Sequence, residues 1–323
     1  MRIFVTGSIA YDYIMVFPGK FRDHILADKI HVLSLSFLVD SLTRRRGGTG
    51  ANIAYNLALL GRKPVLVGTV GEDFEEYRAW LTGKGVDDAG IKVIKDESTA
   101  SCFINTDLDD NQITAFYPGA MSKASTISPK ELGATADDLV VIAPNDPAAM
   151  ARAAAECTLD GVPYLYDPSM QLPRMDKAEL EEGRKGARIL AGNDYEFGMM
   201  AQKLEISEEA LRKSLPITVM TLGEKGALIT VDGEEFSIPP AKPAKVVDPT
   251  GAGDAFRSGF VAGMSRGLPW PVVGRMASLT AVYAIEHPGT QEHAYSLDEF
   301  IARYRANYGP AEELEALRGG VPA

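Results

Sequence analysis

The sequence predicts an α/β fold in which helices cover both faces of a mainly parallel central sheet, with a small β-sheet lid beside it. Short apolar runs alternate with helical segments along most of the chain, as repeated β–α units do. A second group of segments alternates apolar and polar residues, which indicates strands with one exposed face. Of the 323 residues, 46% are hydrophobic, so the chain is able to bury a large core.

Charge and composition exclude several classes of protein. The 44 acidic residues outnumber the 33 Lys and Arg residues, and the net charge of −11 argues against a protein that coats nucleic acid or anionic membranes. Two widely separated cysteines and four histidines without ligand spacing exclude a disulfide framework or a zinc site as the organising principle. No apolar stretch approaches the length of a membrane span. We expect a cytoplasmic protein that associates with neither nucleic acid nor membrane.

The core elements follow in order along the chain. Residues 2–6 form an apolar run that ends at Gly7 and predict the first buried strand, and the apolar helix over 51–60 stops at Gly61. Further core strands are predicted over 64–70, 89–95, 139–143, 163–166, 187–191 and 217–222, with a hairpin across 226–238 that turns at Asp232-Gly233. Further helices are predicted over 73–84, 146–159, 176–185, 194–203, 252–266, 270–286 and 296–306.

The half-exposed strands are predicted over 11–17, 32–39, 99–106 and 111–117. Because these segments do not fit the parallel sheet, we predict that they form the lid, which comprises residues 11–45 and 96–118. The core then comprises residues 1–10, 46–95 and 119–323. The open edges of the lid strands need a cover, which is compatible with a homodimer formed through the lid.

The strongest local motif is Asp248-Pro249-Thr250-Gly251-Ala252-Gly253-Asp254, at the start of a predicted helix. Its glycines allow the amides of residues 251–254 to converge at a helix N-terminus, which favours a bound phosphate. Asp254 lies at the edge of this anion site, where a carboxylate is suited to taking a proton from an attacking hydroxyl. The alternative interpretation is a turn in which Asp254 caps the helix.

Three further motifs each have a functional and a structural interpretation. In Gly47-Gly48-Thr49-Gly50-Ala51-Asn52, Asn52 offers a donor and an acceptor to a polyol, or the glycines form a hinge between lid and core. In Asn193-Asp194-Tyr195-Glu196, Glu196 is suited to a hydrated Mg²⁺ near phosphates, or the motif is a capping box. Thr221-Leu222-Gly223-Glu224-Lys225-Gly226 either lays backbone against a nucleotide or turns the chain.

Taken together and in this order, the four motifs resemble those of the ribokinase-like carbohydrate and nucleoside kinases, the phosphofructokinase-B superfamily. The sequence has no G-x-x-x-x-G-K-[ST], which excludes a P-loop kinase, and no G-x-G-x-x-G after a strand, which removes the main support for dinucleotide binding. The resemblance extends from Gly7 to about Gln291. It implies a ribokinase-like three-layer core with a β lid and the use of ATP and Mg²⁺. It is also compatible with K⁺ beside the anion site.

Several segments resemble the bacterial adenosine kinases of this family, namely residues 6–12, 35–40, 116–121, 167–169 and 289–292. The resemblance implies that Asp254 is the base, with an anion hole formed by Gly251, Ala252 and Gly253. It implies that the ribose hydroxyls are held by Asp12, Gly48 and Asn52. It further implies that Ser8, Ser36 and Gln171 line the nucleoside site and that Phe103 and Phe116 enclose the purine from both sides.

The resemblance also assigns residues to the phosphate donor and its ions. It implies nucleotide binding by Asn193, Glu196, Thr221, Gly223 and Gly226, with Glu196 holding Mg²⁺ through water. K⁺ would be held by backbone carbonyls such as those of Asp248 and Thr250. Arg174 is a candidate for contacting the transferred phosphate, whereas the run Arg44–Arg46 predicts a solvated loop.

The implied reaction is ATP-dependent phosphorylation of the adenosine 5′-hydroxyl to give AMP, with purine salvage as the implied role. Met170 stands where these kinases commonly have Gln, so an altered base preference is open. The alternatives within the family are a ribokinase or other sugar kinase and a purine nucleoside kinase of broad specificity. A different class, a non-catalytic nucleoside-binding protein, is disfavoured by Asp254, since a binder needs no base beside an anion site.

Overall fold

Helices cover both faces of a large sheet in the computed structural model, which describes residues 1–25, 32, 34–109 and 111–318. In spatial order this nine-stranded sheet contains β13 (Glu234–Ile238), β12 (Ala227–Val231), β11 (Ile217–Thr221), β10 (Ile189–Asn193), β9 (Tyr164–Tyr166), β8 (Leu139–Ile142), β1 (Ile3–Thr6), β4 (Val65–Val70) and β5 (Asp87–Val93). All pairs from β11 to β5 are parallel, and β12 and β13 pair antiparallel at one edge. The predicted mainly parallel sheet is confirmed.

Two apolar clusters fill the space between the sheet and its helices. The helices are α1 (Thr49–Leu59), α2 (Glu75–Gly83), α3 (Pro147–Asp160), α4 (Lys177–Lys185), α5 (Asp194–Leu204), α6 (Glu208–Arg212), α7 (Ala252–Met264), α8 (Trp270–Ile285) and α9 (Leu297–Tyr308). Phe4 and Val5 of β1 belong to different clusters, because successive side chains of a strand point to opposite faces. Helices α1, α2, α7, α8 and α9 pack in one cluster and α3 to α6 in the other. Within the described ranges, no helix is long and apolar enough to cross a membrane.

The lid is a separate four-stranded sheet, as predicted. Its strands, in spatial order, are β3 (Ser41–Gly47), β2 (Ala10–Val16), β6 (Ala100–Thr106) and β7 (Gln112–Tyr117). β2 pairs with β6 in parallel, and both edge strands pair antiparallel with their neighbours. This sheet joins the core where β3 ends at Gly47, immediately before α1.

The strand predicted over 32–39 is wrong. Residues 34–39 have no regular secondary structure, and residue 33 lies outside the described residues. The apolar residues of this segment serve a local cluster instead, since Phe37 lies with its ring centroid 4.9 Å from that of Phe17 and 5.0 Å from that of Phe21. An alternating pattern therefore does not distinguish a strand from a loop whose apolar side chains pack locally.

The lid strand that follows this segment is β3, which contains the run Arg44–Arg46, so the solvated loop predicted there is also wrong. Edge strands tolerate charged side chains, which protect them from further pairing. Each guanidinium has a partner: Arg44 pairs with Glu76 at 2.8 Å, and Arg46 lies over the Trp80 ring, 4.4 Å from its centroid. Arg45 donates from Nη1 to the carbonyl of Pro288 at 2.6 Å.

Candidate active site

Helix α7 begins with the glycine-rich motif beside the lid. Gly251, the residue before α7, has φ +79°, a left-handed conformation that favours glycine. A Cβ at Gly251 would also lie 2.9 Å from Cγ2 of Thr290. The first N–H groups of a helix have no partner within the helix. The motif therefore forms the helix N-terminus that the sequence predicts as an anion site.

Asp254 lies in the first turn of α7 and is buried, at 9% exposure. Nδ2 of Asn52, from α1, donates to Oδ2 of Asp254 at 2.8 Å. Burial raises the pKa of Asp254 to about 6, aided by the negative charge of Glu196 and opposed by Arg257 and the Asn52 hydrogen bond. The carboxylate is thus mainly ionised at neutral pH and more basic than an exposed one, which suits proton acceptance.

The Asn52 amide is fixed on its other side by two donors. Its Oδ1 accepts hydrogen bonds from Thr290 Oγ1 and from Gln291 Nε2, both at 2.8 Å. Gln291 Nε2 also donates to the hydroxyl of Tyr77 at 2.5 Å. These contacts determine which amide atom faces Asp254. In the structure, Asn52 therefore orients the carboxylate, while its implied contact with ribose stays a prediction.

Asn193 and Glu196 form a capping box at the start of α5, the structural alternative that the sequence left open. Glu196 Oε2 accepts from the Asn193 amide at 2.7 Å, and Ser169 Oγ donates to Glu196 Oε1 at 2.6 Å. Both carboxylate oxygens are thus engaged, which fits a Mg²⁺ ion that keeps its waters and is bound mainly by phosphates. No group of three or more His, Cys, Asp or Glu in the described ranges is able to hold a metal ion by itself.

The lid brings Asp12 to this site from β2. A Cβ at Gly47 would lie 2.3 Å from Oδ2 of Asp12, so the carboxylate lies directly against the backbone that leads into α1. Burial and, to a smaller extent, the negative charges of Asp248 and Asp254 together raise the pKa of Asp12 to about 6. Gly48 has φ +92°, and a Cβ there would lie 2.6 Å from the amide nitrogen of Ala10. The predicted residues Asp12, Gly48 and Asp254 are therefore brought together.

Phe103 and Phe116 are not brought together. Phe116 pairs with Cys102 across β6 and β7, whereas Phe103 pairs with Ala115. Directly paired residues share a face and successive residues alternate, so the two rings lie on opposite faces of the lid. Phe116 shares the face of Asp12, because Asp12 also pairs with Cys102. Phe103 stacks on Tyr13 on the other face, with ring centroids 5.0 Å apart. The predicted enclosure of one purine by both rings is not formed.

The remaining residues that the sequence predicts to bind the substrate differ in their surroundings. Ser8 Oγ accepts from the Thr49 amide at 3.0 Å at the start of α1. Gln171 Nε2 donates to the carbonyl of Asn145 at 2.9 Å, while its Oε1 is buried without a hydrogen-bond partner among the described residues. Ser36 and Arg174 are exposed. Gln171 thus retains a free acceptor, which is the expected property of a ligand-binding amide.

A cavity of about 520 Å³ extends from the start of α7. Its lining includes the predicted nucleotide-binding residues Thr221, Gly223 and Gly226, together with Ala252 and Gly253 of the glycine motif. The rest of the wall is largely apolar and includes Ala241, Val246, Phe256, Ala281, Val282 and Ile285. Cavities of this size and character accept small ligands such as the base and ribose of a nucleotide.

The loop before α7 is held by the carboxylate of Asp248. Its Oδ1 accepts from the Thr250 amide and its Oδ2 from the Gly289 amide, each at 2.9 Å. Burial raises the pKa of Asp248, but these hydrogen bonds outweigh it and keep the pKa below its usual value. The carboxylate thus stays ionised, and the nearby positive charge of Arg45 contributes to its low pKa.

Comparison with known proteins identifies the family of this chain. A model of the pfkB family carbohydrate kinases matches residues 11–296. The chain belongs to the pfkB family. It is 32% identical over 310 residues to the nucleoside kinase of Methanothermobacter thermautotrophicus, and the match covers 95% of this chain and 96% of that protein.

Solved structures place the pfkB chain in the ribokinase-like fold. The nucleoside kinase of Burkholderia thailandensis in complex with inosine superposes with a TM-score of 0.86 at 36% identity and covers 96% of this chain and 99% of its own. The same protein in complex with ADP-inosine gives a TM-score of 0.81 at 37% identity and covers 96% and 97%. This pfkB-family protein is a phosphotransferase that acts on an alcohol group.

Sequence reasoning assigned no role to three residues of the candidate site. Arg257 and Asp167 form a buried ion pair beside Asp254, and Gln291 fixes Asn52. Arg257 lies in the helix that the glycine motif begins, and Asp167 is the first residue of the segment 167–169 that resembles adenosine kinases. Both residues therefore lie in or next to segments that the sequence analysis had singled out. Their pairing depends on the approach of β9 to α7, which spacing in the sequence does not give.

Proposed function

We propose that the protein transfers the γ-phosphoryl group of ATP to the 5′-hydroxyl of a purine nucleoside. The observation that carries the proposal is the buried Asp254, oriented by Asn52 at the edge of a glycine-rich helix N-terminus. Similarity to nucleoside kinases over nearly the whole chain supports a nucleoside acceptor. Adenosine is the first candidate substrate. Inosine is the second, because the Burkholderia thailandensis enzyme was solved with inosine.

The reaction follows from the chemistry of the site. The ribose 5′-hydroxyl gives its proton to Asp254 as its oxygen forms a bond to the γ-phosphorus of ATP, and the bond from that phosphorus to the β–γ bridging oxygen breaks. The amides of residues 251–254 stabilise the charge on the transferred phosphoryl oxygens. The base and ribose of ATP occupy the apolar cavity beside α7. Glu196 would hold Mg²⁺ through water, where the ion would offset the negative charge of the phosphates.

On the acceptor side, Asp12, Gly48 and Asn52 hold the ribose hydroxyls. Ser8, Ser36 and Gln171 line the nucleoside site, and Arg174 contacts the transferred phosphate. Asp248 and Thr250 would hold K⁺ through their backbone carbonyls. Phe116 is the lid aromatic that stacks on the base, since it shares the face of Asp12.

The test measures ADP formation by the purified protein with ATP and each of five acceptors: adenosine, inosine, guanosine, ribose and fructose 6-phosphate. Turnover on a purine nucleoside, lost in Asp254→Asn, supports the proposal. Turnover on a sugar alone contradicts the nucleoside assignment and favours a sugar kinase. Binding of adenosine without turnover on any acceptor favours a nucleoside-binding protein.

We also propose that residues 11–45 and 96–118 act as one lid and that two copies associate through it. Exposed apolar side chains on the Phe103 face, namely Leu42, Phe103, Ile113 and Tyr117, support such an interface. Light scattering of the wild type against Leu42→Glu tests this association. If light scattering gives the wild-type protein the mass of a single chain, the proposed association is contradicted.

A further inference from the structure

Arg257 is a buried cation in the first turns of α7. It follows Asp254 by three residues, so the two side chains lie on the same side of the helix. Its Nε and Nη2 both contact the carboxylate of Asp167 at the end of β9, with Nη2 3.0 Å from Oδ1. Nη2 also lies 3.8 Å from Oε2 of Glu196. One guanidinium therefore joins carboxylates from two other elements to the helix that carries Asp254.

The third nitrogen of Arg257 lies beside the anion hole. A Cβ placed on Gly253 would come within 2.5 Å of Nη1 of Arg257. Any side chain at Gly253 would therefore displace the guanidinium. The glycine of the Gly-Ala-Gly-Asp motif thus has a second physical reason besides access to phosphate: it makes room for this arginine.

Negative charge accumulates around this guanidinium. Asp254 of α7, Asp167 just after β9 and Glu196 of α5 face it, and Asp12 approaches Asp254 from the lid. Carboxylates that share a buried site raise one another's pKa. The pKa of Asp167 is raised to about 7, chiefly by burial, because the negative charges of Glu196 and Asp254 and the opposing charge of Arg257 are smaller effects. The positive charge of Arg257 opposes the rise at Asp254 in the same way.

We propose that Arg257 is a positioning residue for phosphoryl transfer: it holds Asp167 and Glu196 around the anion hole and keeps Asp254 in the ionised form that accepts the proton. The inference rests on the proposed role of Asp254 as the base. What it adds is a role for Arg257 in controlling the ionisation of Asp254. This role is distinct from the effect of the buried ion pair with Asp167 on folding stability.

The experiment compares Arg257→Gln, which removes the charge, with Arg257→Lys, which keeps it. We expect kcat to fall about tenfold or more in Arg257→Gln. We also expect the acid limb of its kcat/KM profile to move up by about one pH unit, since an opposite charge in contact shifts a carboxyl pKa by that order. In Arg257→Lys the limb should move less than in Arg257→Gln. An acid limb of the kcat/KM profile at the same pH in the wild type and in Arg257→Gln would overturn the proposal.

Two further variants separate positioning from folding. Arg257→Gln with Asp167→Asn removes both buried charges, so we expect its melting temperature to recover while kcat stays low. Recovery of kcat together with stability would mean that the pair is merely structural. Arg266→Gln is the matched control, because the side chain of Arg266, near the other end of α7, donates among the described residues only to the backbone carbonyls of Ala262 and Leu60. It should lower the melting temperature without moving the acid limb.

A readout that needs no substrate keeps this inference distinct from the proposed function. The ionisation of Asp254 is followed by NMR of ¹³C-labelled aspartate carboxyls in the wild type, Arg257→Gln and Arg257→Lys, with Asp254→Asn to assign the signal. The pKa of Asp254 should rise in Arg257→Gln and rise less in Arg257→Lys. An unchanged titration overturns the role of Arg257. Absence of nucleoside turnover by the wild type overturns the proposed function instead.

Discussion

The N-terminus of α7 and the lid sheet contribute to the same site but are held very differently. Asp254 is buried and hydrogen-bonded to Asn52, whose own acceptor oxygen is fixed by Thr290 and Gln291. On the lid, Phe116 is 48% exposed and no residue of β7 is buried. The charge-bearing groups are thus fixed before substrate arrives, whereas the lid face has apolar surface still to be covered.

This difference leads us to expect that the start of α7 controls the reaction rate and that the lid controls substrate selectivity. Groups that stabilise transferred charge act best when they need no rearrangement during the reaction. A face that contacts the variable part of a substrate gains contact area only when the ligand is present. Changes at α7 are therefore expected to lower kcat, and changes on the Asp12 face of the lid to raise KM for the nucleoside.

The largest expected effect comes from Asp254→Asn. Loss of the proton acceptor should lower kcat by about 10²–10⁴-fold, with little change in nucleoside affinity measured by calorimetry. A variant that keeps wild-type kcat would contradict the role of Asp254 and with it the contrast between core and lid.

The stability of the same variant is its control. The pKa of Asp254 lies near 6 in the folded protein, above the 3.8 of an exposed Asp, so folding takes up a proton between these values. The contribution of Asp254 to the free energy of unfolding is therefore fully present below about pH 4, where the carboxyl is protonated in both states. It is lost as the pH rises through about 6, because the buried group must then ionise. Asp254→Asn should melt at or above the wild-type temperature at pH 7, with this gain absent at pH 4. A lower melting temperature at pH 7 would attribute the lost activity to misfolding.

Phe116→Ala tests the lid, with Phe103→Ala as the matched control on the opposite face. Stacking of a base on an aromatic ring contributes about 1–3 kcal/mol, so Phe116→Ala should weaken nucleoside binding by about 5- to 150-fold. Phe103→Ala should leave the dissociation constant nearly unchanged, since that ring stacks on Tyr13. Equal losses in both variants would contradict the assignment of the Asp12 face to the substrate.

Gly251→Ala tests how closely the core is packed. A non-glycine residue in the left-handed region costs about 1–3 kcal/mol, and here the new methyl group also meets Thr290. Gly267→Ala is the control, because Gly267 has φ +67° with nothing within 4 Å of its added Cβ. We expect the melting temperature and kcat to fall more in Gly251→Ala. Equal melting temperatures would show that contact with Thr290 is unimportant.

The smallest expected effect concerns the loop where lid and core meet. Replacing K⁺ with choline should lower the rate by less than any of these variants, because Arg45 already brings positive charge to the Pro288 carbonyl. Arg45→Gln should make the rate more dependent on K⁺, measured from 0 to saturating salt at constant ionic strength. A rate independent of K⁺ in both proteins would remove the cation from the proposal.

The lid shows where sequence patterns stop being informative. Alternation over 32–39 arises from an aromatic cluster around Phe37, while the strand lies in a segment with three consecutive arginines. The face on which Phe103 or Phe116 lies depends on register, and a shift of one residue exchanges the faces. The sequence shows that both aromatic residues are present, but it does not show that Phe116 pairs with Cys102.

The sequence by itself determined the sheet of the core, its described helices other than the short α6, the glycine-rich start of α7 and the candidate base, because these depend on local periodicity, chain flexibility and residue chemistry. Tertiary structure alone decided the hydrogen bond from Asn52 to Asp254, the ion pair of Arg257 with Asp167 and the opposite faces of the lid aromatics. These contacts join residues from separate elements. Their energies arise from burial and charge that exist only once the elements have packed.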